Sequence, residues 1–334
     1  MQTGKIGVLG AGSWGTTLAA LLAAKGFDVR LWVREPDVFE EISKTGENKT
    51  FLPGVKLPPN LTPCRQFKEA LEGASIVLCA VPSHGLRAVF SEARPFISKD
   101  AVIVSATKGI EEDTGLTAAG ILKDTLKDVV HDGIVVLSGP TFATEVASKL
   151  PAAATAASLS AKAAVRVQQA FSTPYFRVYT NADVIGVELG GALKNVMAIA
   201  SGISDGLKLG HNARAALITR GLAEMTRLGV KMGANPLTFS GLSGMGDLVL
   251  TCTGPLSRNY SVGVAIGRGK SIDEITKGMT MVAEGIKTSR AARSLAASVG
   301  VDMPITTAVY SVIYEGKGAR DAVFELMSRD LKGE

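Results

Sequence analysis

Three glycines near the N-terminus constrain the fold of this chain more than any other feature. Gly10, Gly12 and Gly15 follow an apolar run that begins at Lys5. In this spacing the first glycine permits a tight turn, the second lets the backbone approach a pyrophosphate, and the third lets a helix pack closely on a strand. An alanine-rich segment and a Val/Leu/Trp segment follow. The pattern therefore predicts a strand, turn, helix and second strand that bind a dinucleotide, with the N–H groups at the helix start facing the diphosphate.

The residue after the second predicted strand indicates which dinucleotide is preferred. About 20 residues past the glycines, where this fold contacts the adenosine ribose, the chain has Arg34. A guanidinium attracts the 2′-phosphate of NADP, whereas a carboxylate would repel it. We therefore expect NADPH to be favoured, with NAD also possible. Glu35 is the next residue, and a strand that ended one residue later would weaken or reverse this preference.

Length and composition indicate the class of protein. With 334 residues the chain is too long for one average domain and suits two. Hydrophobic residues make up 46% of the chain. The sequence nevertheless has no run of about 18 apolar residues, which is the length needed to span a bilayer. The N-terminus lacks the pattern of a signal peptide. We therefore expect a soluble, cytoplasmic protein without a membrane span.

Cysteine usage and charge narrow the expected partners. Cys64, Cys79 and Cys252 lack CxxC spacing, which indicates free core thiols in a reducing compartment and predicts no metal site. The net charge of +5 comes from basic residues scattered among nearly as many acids. Because no basic cluster is interleaved with aromatic residues, nucleic acid is not an expected partner.

Apolar strand patterns recur through the first half of the chain. The predicted strands cover residues 75–81, 101–105, 134–137 and 151–158. A helix is predicted through residues 165–171, and the proline-rich segment 53–63 is predicted to be a loop. These patterns predict an α/β fold, in which a doubly wound, mostly parallel Rossmann-type sheet forms a dinucleotide-binding domain over residues 1–185.

Helical patterns replace the strands from about residue 186. The predicted helices cover residues 187–202, 213–232, 259–267, 281–299 and 306–314. We therefore expect an all-helical second domain over residues 186–334, which carries substrate binding and catalysis. Ligands of doubly wound sheets bind outside the carboxyl ends of the strands, so a helical domain docked there would close a cleft over the cofactor.

Polar residues that could carry chemistry follow the predicted strands or lie on the first long helix. Lys108 and Gly139 each follow a buried strand, which places them at the cleft edge. Lys194 lies on the helix, where Gly190 and Gly191 allow another backbone to approach closely. Each also fits an ordinary role as a solvated lysine or a turn glycine. For Lys194 the surface role is disfavoured because its neighbours in the sequence are apolar.

Six motifs together resemble those of the bacterial NAD(P)-dependent glycerol-3-phosphate dehydrogenase family. In chain order they are Gly10–Gly15, Thr107–Gly109, Ser138–Pro140, Gly191–Asn195, Gly241–Asp247 and Ser257–Asn259. The resemblance covers nearly the whole chain. It implies hydride transfer between NAD(P)H and the C2 carbonyl of dihydroxyacetone phosphate, which gives sn-glycerol 3-phosphate for phospholipid synthesis. It also implies a homodimer.

The resemblance assigns Lys194 as the general acid of reduction and the base of oxidation. An isolated lysine has a pKa of about 10.4, which suits a proton donor but not a base. We therefore expect desolvation and a nearby cation such as Lys108 to lower the pKa of Lys194. Asp247 would orient this cluster by hydrogen bonding, with Asn195 as a helper.

The resemblance also supplies sets of binding residues. Ser257 can cap a helix that enters at Asn259, so the substrate phosphate would meet N–H groups at a helix start and the planar fork of Arg258. The substrate residues are Lys108, Gly139, Thr141, Lys194, Asn195, Asp247, Ser257, Arg258 and Asn259. The cofactor residues are Gly10, Gly12, Ser13, Trp14, Gly15, Arg34, Lys108, Ala143, Arg258, Val282 and Glu284.

Two other functions are compatible with parts of the sequence. A 6-phosphogluconate or beta-hydroxyacid dehydrogenase would also place a lysine and an asparagine on the first long helix, but Ser257–Asn259 with Asp247 suits a small phosphorylated triose. A non-catalytic NADP(H) sensor would keep the glycine turn. It would have no need for Lys108, Lys194 and Asp247.

Overall fold

The chain is organised in two units, each with its own hydrophobic core. The computed structural model describes residues 4–129, 133–277, 283–331 and 333. The first unit runs to Lys108 and continues from Leu116 to Val184. The second unit comprises the segment Gly109–Gly115 and the chain from Ile185 onwards.

An eight-stranded sheet forms the centre of the first unit. Its strands are β1 (Lys5–Leu9), β2 (Asp28–Trp32), β3 (Leu61–Cys64), β4 (Ala74–Cys79), β5 (Val102–Ser105), β6 (Ile134–Ser138), β7 (Ala152–Ala157) and β8 (Phe176–Asn181). Their order in the sheet is β3-β2-β1-β4-β5-β6-β7-β8. The pairs from β3 to β6 are parallel, β7 is antiparallel to β6, and β8 is parallel to β7. The predicted doubly wound, mostly parallel sheet is confirmed.

Helices connect these strands, and the order of the strands indicates the edge of the sheet where a ligand would bind. They are α1 (Ser13–Ala24), α2 (Pro36–Thr45), α3 (Phe67–Leu71), α4 (Ser83–Ala93), α5 (Ala118–Leu126), α6 (Ala143–Ala147) and α7 (Ala161–Phe171), with a 3₁₀ turn at Arg94–Phe96. Strand β1 pairs with β2 on one side and β4 on the other, so the strand order reverses beside β1. In this architecture, ligands bind outside the carboxyl ends of the strands at such a reversal.

The two edge strands differ from the sequence prediction. The segment 53–63 is not a loop throughout, because β3 begins at Leu61 and contains Pro63. Proline is tolerated there because β3 is an edge strand, where one side of the ladder needs no hydrogen bond. Strand β8, at the opposite edge, was not predicted. In β8 only Phe176 and Val178 are buried, and two alternating apolar residues are too short a pattern to predict a strand.

The second unit contains helices only, among its described residues. They are α8 (Val184–Gly206), α9 (Gly210–Lys231), α10 (Pro236–Phe239), α11 (Asp247–Thr253), α12 (Arg258–Gly267), α13 (Ile272–Lys277), α14 (Glu284–Ser298), α15 (Pro304–Tyr314) and α16 (Ala319–Met327), with a π-helical turn at Leu242–Gly246. The predicted all-helical architecture is confirmed. Helix α14 begins later than the predicted 281–299, and residues 281 and 282 lie outside the described residues.

Helix α8 is the core helix of the second unit. Every residue from 186 to 204 is buried, as expected for a helix that is apolar on all sides. Among the described residues, α8 alone is long and apolar enough to cross a membrane by length and composition, but 83% of its apolar window is buried inside the protein. The helix nevertheless carries the buried polar side chains Glu188, Lys194 and Asn195.

Glycines bring α8 and α12 into backbone contact. Gly202 and Gly206 of α8 face Gly263 and Gly267 of α12. A Cβ atom at either Gly202 or Gly263 would lie 2.1 Å from a backbone oxygen of the other helix. Residues four apart share one face of a helix, so the two glycine pairs fix the position of α12 along α8.

The three cysteines are free and buried. Burial raises the pKa of Cys64 and Cys252 to about 12 and that of Cys79 to about 11. A thiol is nucleophilic only when ionised. These residues are therefore packed in the core as neutral thiols, as predicted.

A buried carboxylate caps helix α15. Glu224 of α9 accepts hydrogen bonds from the N–H groups of Ile305 at 2.6 Å and Thr306 at 3.2 Å, and from the Thr306 hydroxyl at 3.3 Å. Burial raises the pKa of Glu224 from 4.5 to about 7, although these donors and the charge of Arg227 favour the carboxylate.

We expect Glu224 to make the stability of the fold depend on pH. The pKa of Glu224 is higher in the folded protein than in the unfolded chain. Protonation of Glu224 therefore stabilises the fold. This stabilisation is fully present below pH 4.5 and is lost as pH rises through 7. The free energy of unfolding should fall by up to about 1.4 kcal/mol per pH unit in this window. In Glu224→Gln this component should be absent. Denaturant unfolding of both proteins between about pH 5 and pH 8 measures it, and equal pH slopes would contradict the assignment.

Candidate active site

The glycine turn of the first unit has the predicted geometry. Gly10 has φ of 109°, in the left-handed region that favours glycine. A Cβ atom at Gly15 would lie 1.9 Å from the Gly10 carbonyl oxygen, whereas one at Gly12 would meet nothing within 4 Å. Gly12 is the N-cap of α1 and offers no side-chain cap, so the helix start can receive an anion. These residues fit a dinucleotide pyrophosphate.

A buried amide holds this turn from behind. Asn48 is fully buried, and its Nδ2 donates to the Ala11 carbonyl at 2.8 Å and to Thr16 Oγ1 at 2.9 Å. Its Oδ1 accepts from the Phe51 N–H at 3.0 Å. Sequence reasoning missed Asn48, because its partners on the turn lie 37 and 32 residues away in the chain.

Three predicted cofactor residues lie around the first turns of α1. The Ser13 hydroxyl donates to the Phe51 carbonyl. The Trp14 ring packs against Phe176, with 6.4 Å between the ring centroids. The Ala143 carbonyl, at the start of α6, accepts from Thr17 Oγ1 at 3.2 Å. The structure therefore places Ser13, Trp14 and Ala143 close to the glycine turn.

Arg34 is the first charged residue past β2. The strand ends at Trp32, and the Arg34 side chain is 73% exposed. Its Nε and Nη2 both donate to Glu35 Oε1, at 3.0 and 2.7 Å. Glu35 therefore follows Arg34 rather than replacing it at the strand end, but it offsets the charge of the guanidinium.

Three predicted substrate residues meet beyond β5 and β6. Lys108 Nζ donates to the Gly139 carbonyl oxygen at 3.4 Å, and Thr141 Oγ1 donates to the same oxygen at 3.2 Å. Gly139 has φ of 151°, and a Cβ atom there would lie 2.8 Å from the Ala153 carbonyl oxygen. Only glycine fits this position.

The central polar cluster of the second unit is formed by Lys194, Asp247 and Thr251. Lys194 and Asp247 are only 7% and 1% exposed. Lys194 Nζ forms an ion pair with Asp247 Oδ1 and donates to Thr251 Oγ1 at 2.9 Å. The Thr251 hydroxyl donates to the Asp247 carbonyl at 2.6 Å. The cluster holds the lysine ammonium in one place inside the protein.

One contact of this cluster was expected and one residue was missed. The expected hydrogen bond between Lys194 and Asp247 is present, and Lys108, the expected nearby cation, belongs to the first unit. Thr251 was missed as a member of the cluster. It lies four residues after Asp247 on α11, so the helical spacing that puts both side chains on one face was an available signal.

A close backbone contact brings Asp247 to α8. A Cβ atom at Gly190 would lie 2.4 Å from the Ser243 carbonyl oxygen. Ser243 belongs to the π-helical turn Leu242–Gly246, which leads directly into Asp247. The prediction that Gly190 allows another backbone to approach is confirmed.

Asn195 belongs to a second polar set, where α8, α12 and α14 meet. Asn259 Nδ2 donates to Asn195 Oδ1 at 3.0 Å, and Asn259 Oδ1 accepts from the Gly285 N–H at 2.9 Å. A Cβ atom at Gly285 would lie 2.6 Å from the Asn195 carbonyl oxygen. Gly285 was not predicted as a site residue. The need for glycine at this position follows from its close contacts with Asn195 and Asn259 where the three helices meet.

The start of α12 has the predicted cap. Ser257 Oγ accepts from the Tyr260 N–H at 3.2 Å, and the helix begins at Arg258, one residue earlier than expected. The Arg258 side chain is exposed and lines a cavity of about 270 Å³. Partial desolvation lowers the pKa of Arg258, and the charge of Glu284, the first residue of α14, opposes this shift. Val282 lies outside the described residues.

The chemistry that each unit can perform follows from these contacts. In the first unit, the open glycine turn and the start of α1 can bind a diphosphate. In the second unit, a buried ammonium can donate a proton. The start of α12, with an arginine at its first position, can bind a phosphate.

Comparison with known proteins relates the whole chain to one family. The family profiles for the NAD-dependent glycerol-3-phosphate dehydrogenase N-terminus and C-terminus match residues 5–164 and 183–324. The glycerol-3-phosphate dehydrogenases (NAD(P)+) of Citrifermentans bemidjiense and Geobacter sulfurreducens are 58% and 55% identical, each over 99% of this chain and 98% of the relative. The crystal structure of glycerol-3-phosphate dehydrogenase from Coxiella burnetii matches with a TM-score of 0.94 and 42% identity, over 98% of this chain and 99% of that one.

The three glycines should separate binding from folding. Gly12→Ala adds a methyl group in open space, so we expect an unchanged melting temperature but NADPH binding weakened by about tenfold or more, which is about 1.4 kcal/mol. Gly15→Ala places its Cβ against the Gly10 carbonyl and should lower the melting temperature. Thermal unfolding and NADPH fluorescence titration measure both effects. A Gly12→Ala protein with normal affinity would show that the pyrophosphate does not approach this turn.

Proposed function

This chain belongs to the NAD-dependent glycerol-3-phosphate dehydrogenase family, and we propose that it interconverts dihydroxyacetone phosphate and sn-glycerol 3-phosphate with NADPH or NADH. The observation that carries this proposal is the buried Lys194–Asp247–Thr251 cluster, in the same unit as the capped start of α12. A proton donor and a phosphate receptor are what reduction of a phosphorylated ketone requires. The product supplies phospholipid synthesis.

Lys194 carries the proton step in this proposal. A bound nicotinamide supplies the hydride to C2 of the ketone. As the C2 oxygen gains negative charge, the Lys194 ammonium donates a proton to it: an N–H bond breaks and an O–H bond forms. Asp247 and Thr251 keep Nζ in position throughout. In the oxidation direction, neutral Lys194 accepts a proton from the C2 hydroxyl, so that an O–H bond breaks and an N–H bond forms. The nearby Asp247 carboxylate favours the positive charge that the lysine gains.

Binding of the substrate phosphate is assigned to the start of α12. Ser257 and the helix N–H groups are joined there by the Arg258 fork and by Asn259, which Asn195 and Gly285 hold in place. Helix starts and guanidinium groups both bind phosphate well. We propose Lys108, Gly139 and Thr141 as further substrate contacts.

For the cofactor we propose the same binding residues that the family resemblance implies. The glycine turn with Ser13, Trp14 and Ala143 would bind the diphosphate side of the dinucleotide, and Arg34 would contact the 2′-phosphate of NADPH. Lys108, Arg258, Val282 and Glu284 complete the proposed set. The close contacts around α1 support the first group, and the exposed guanidinium of Arg34 supports the second.

We further propose a cytoplasmic homodimer with residues 1–185 and 186–334 as its two domains. The three free, buried cysteines support a reducing compartment. The homodimer rests on the family resemblance, and sedimentation equilibrium measures it directly.

The activity itself is tested by following oxidation of the reduced nicotinamide. We expect the purified protein to consume NADPH or NADH when dihydroxyacetone phosphate is added. We expect no reduction of NADP+ with 6-phosphogluconate or a beta-hydroxyacid. Turnover of either of these substrates would favour the related dehydrogenases, and NADPH binding without any turnover would favour a sensor.

Loss of the Lys194 ammonium should strongly lower turnover while leaving cofactor binding intact. In Lys194→Ala we expect kcat to fall by at least about a hundredfold, the lower range for a general acid. NADPH affinity should be retained, because the glycine turn lies in the other unit. Lys231→Ala, at an exposed lysine that ends α9, is the matched control. Activity near that of the wild type would rule out Lys194 as the proton donor.

Loss of the Arg258 guanidinium should affect the phosphorylated substrate selectively. In Arg258→Ala we expect KM for dihydroxyacetone phosphate to rise about thirtyfold, from a loss of about 2 kcal/mol. Turnover of unphosphorylated dihydroxyacetone should change far less. Both substrates are compared at saturating NADPH, with Arg268→Ala at the other end of α12 as the control. Equal losses on both substrates would assign Arg258 to the cofactor or the fold.

A further inference from the structure

The charge at the carboxyl end of β2 is balanced before any ligand binds. Both donors that Arg34 directs to Glu35 reach the same oxygen, Oε1, so this pair has no net charge. A phosphate monoester carries a charge of about −1.5 to −2 at neutral pH. Arg34 alone therefore gives the strand end little net attraction for the 2′-phosphate of NADPH. A second cation is needed for a firm preference.

Arg65 lies next to Arg34 across the sheet. Strand β3 is parallel to β2, with Trp32 opposite Cys64, and the Val33 N–H donates to the Cys64 carbonyl at 2.9 Å. Arg65 is the first residue past β3, so the two strands end at the same level. Arg65 Nη1 donates to the Arg34 carbonyl at 2.5 Å. An exposed guanidinium is thus attached to the backbone of the ribose-contacting residue.

Aromatic contacts hold the backbone at Arg65 and just after it. Trp32 Nε1 donates to the Arg65 carbonyl at 3.1 Å. The Trp32 ring stacks on Phe67, with 4.6 Å between the centroids and 23° between the planes. A cation whose position is fixed before the ligand binds loses less conformational freedom on binding. The Trp32 contacts hold the Arg65 backbone, and the hydrogen bond to the Arg34 carbonyl positions the Arg65 guanidinium, so the charge is partly preorganised.

We propose that Arg65 is the second cation of the 2′-phosphate site and that it sets the preference for NADPH together with Arg34. This inference rests on the proposed use of a nicotinamide dinucleotide. A guanidinium has five N–H donors, so the contact with the Arg34 carbonyl leaves Arg65 able to bind phosphate oxygens. With Arg65 included, the strand end has one net positive charge despite Glu35.

Nucleotide fragments test this proposal without turnover. Calorimetric titrations of the full chain use 2′,5′-ADP, which has the 2′-phosphate, and 5′-AMP, which lacks it. In Arg65→Met we expect affinity for 2′,5′-ADP to fall about ten- to a hundredfold, as for loss of a charged hydrogen bond, with affinity for 5′-AMP within about twofold of wild type. Arg65→Lys should retain part of the 2′,5′-ADP affinity, because it keeps the charge but loses the fork. Lys68→Met removes an exposed cation on the neighbouring helix α3 and should change neither affinity.

The outcomes distinguish contact with the phosphate from support of the backbone. Equal weakening of both fragments in Arg65→Met would show that Arg65 only positions the Arg34 backbone, and unchanged affinities would show no role. Either result overturns the proposal. An equal loss of 2′,5′-ADP affinity in Lys68→Met would assign the effect to general charge and also overturn it. Turnover of dihydroxyacetone phosphate by the wild type is measured separately, so failure of the proposed activity would leave the fragment result interpretable.

Discussion

The second unit is built around the buried ion pair of Lys194 and Asp247. Removing two charges from water costs several kcal/mol for each ion. The pair is tolerated because each member supplies the opposite charge of the other and Thr251 adds hydrogen bonds to both residues. Backbone packing makes this arrangement possible, since Gly190 lets the turn before Asp247 reach α8. The same pair fixes the position of the Lys194 Nζ atom inside the second unit.

The first unit differs from the second because main-chain N–H groups, and not a buried ion pair, form its candidate ligand site. Such groups can bind an anion. Two of its fingerprint glycines serve the fold: Gly10 takes a positive φ, and Gly15 lies against the Gly10 carbonyl. Gly12 has open space around it and is needed only when a ligand approaches. Asn48 holds the turn in this shape from the buried side. One motif therefore combines a structural and a binding requirement, which differ in the space around each glycine.

Local patterns in the sequence were sufficient for most of the fold. Buried strands and long helices were predicted, because their apolar residues are continuous or periodic over many positions. The edge strands β3 and β8 were not, because their residues are half-exposed and β3 contains Pro63. Each edge strand is stabilised by pairing with the neighbouring strand of the sheet. A local sequence pattern does not show such pairing.

The same distinction applies to the candidate site. Lys194, Asp247 and Ser257 were predicted from motifs, and the structure adds the contacts that hold their side chains. Asn48 and Gly285 were missed because their roles depend on partners far away in the chain. The pairing of Lys194 with Asp247 was expected, and the structure shows it. The share of Thr251 in this cluster was not expected.

A crystal structure of the protein with NADP+ and glycerol 3-phosphate would test the central claim most directly. We expect Lys194 Nζ to lie within hydrogen-bond distance of the C2 oxygen, about 2.6–3.2 Å, and to keep its contact with Asp247. We also expect the substrate phosphate to lie at the start of α12, against Arg258. A substrate whose C2 oxygen contacts a different proton donor, with Lys194 bound only to Asp247 and Thr251, would contradict the account.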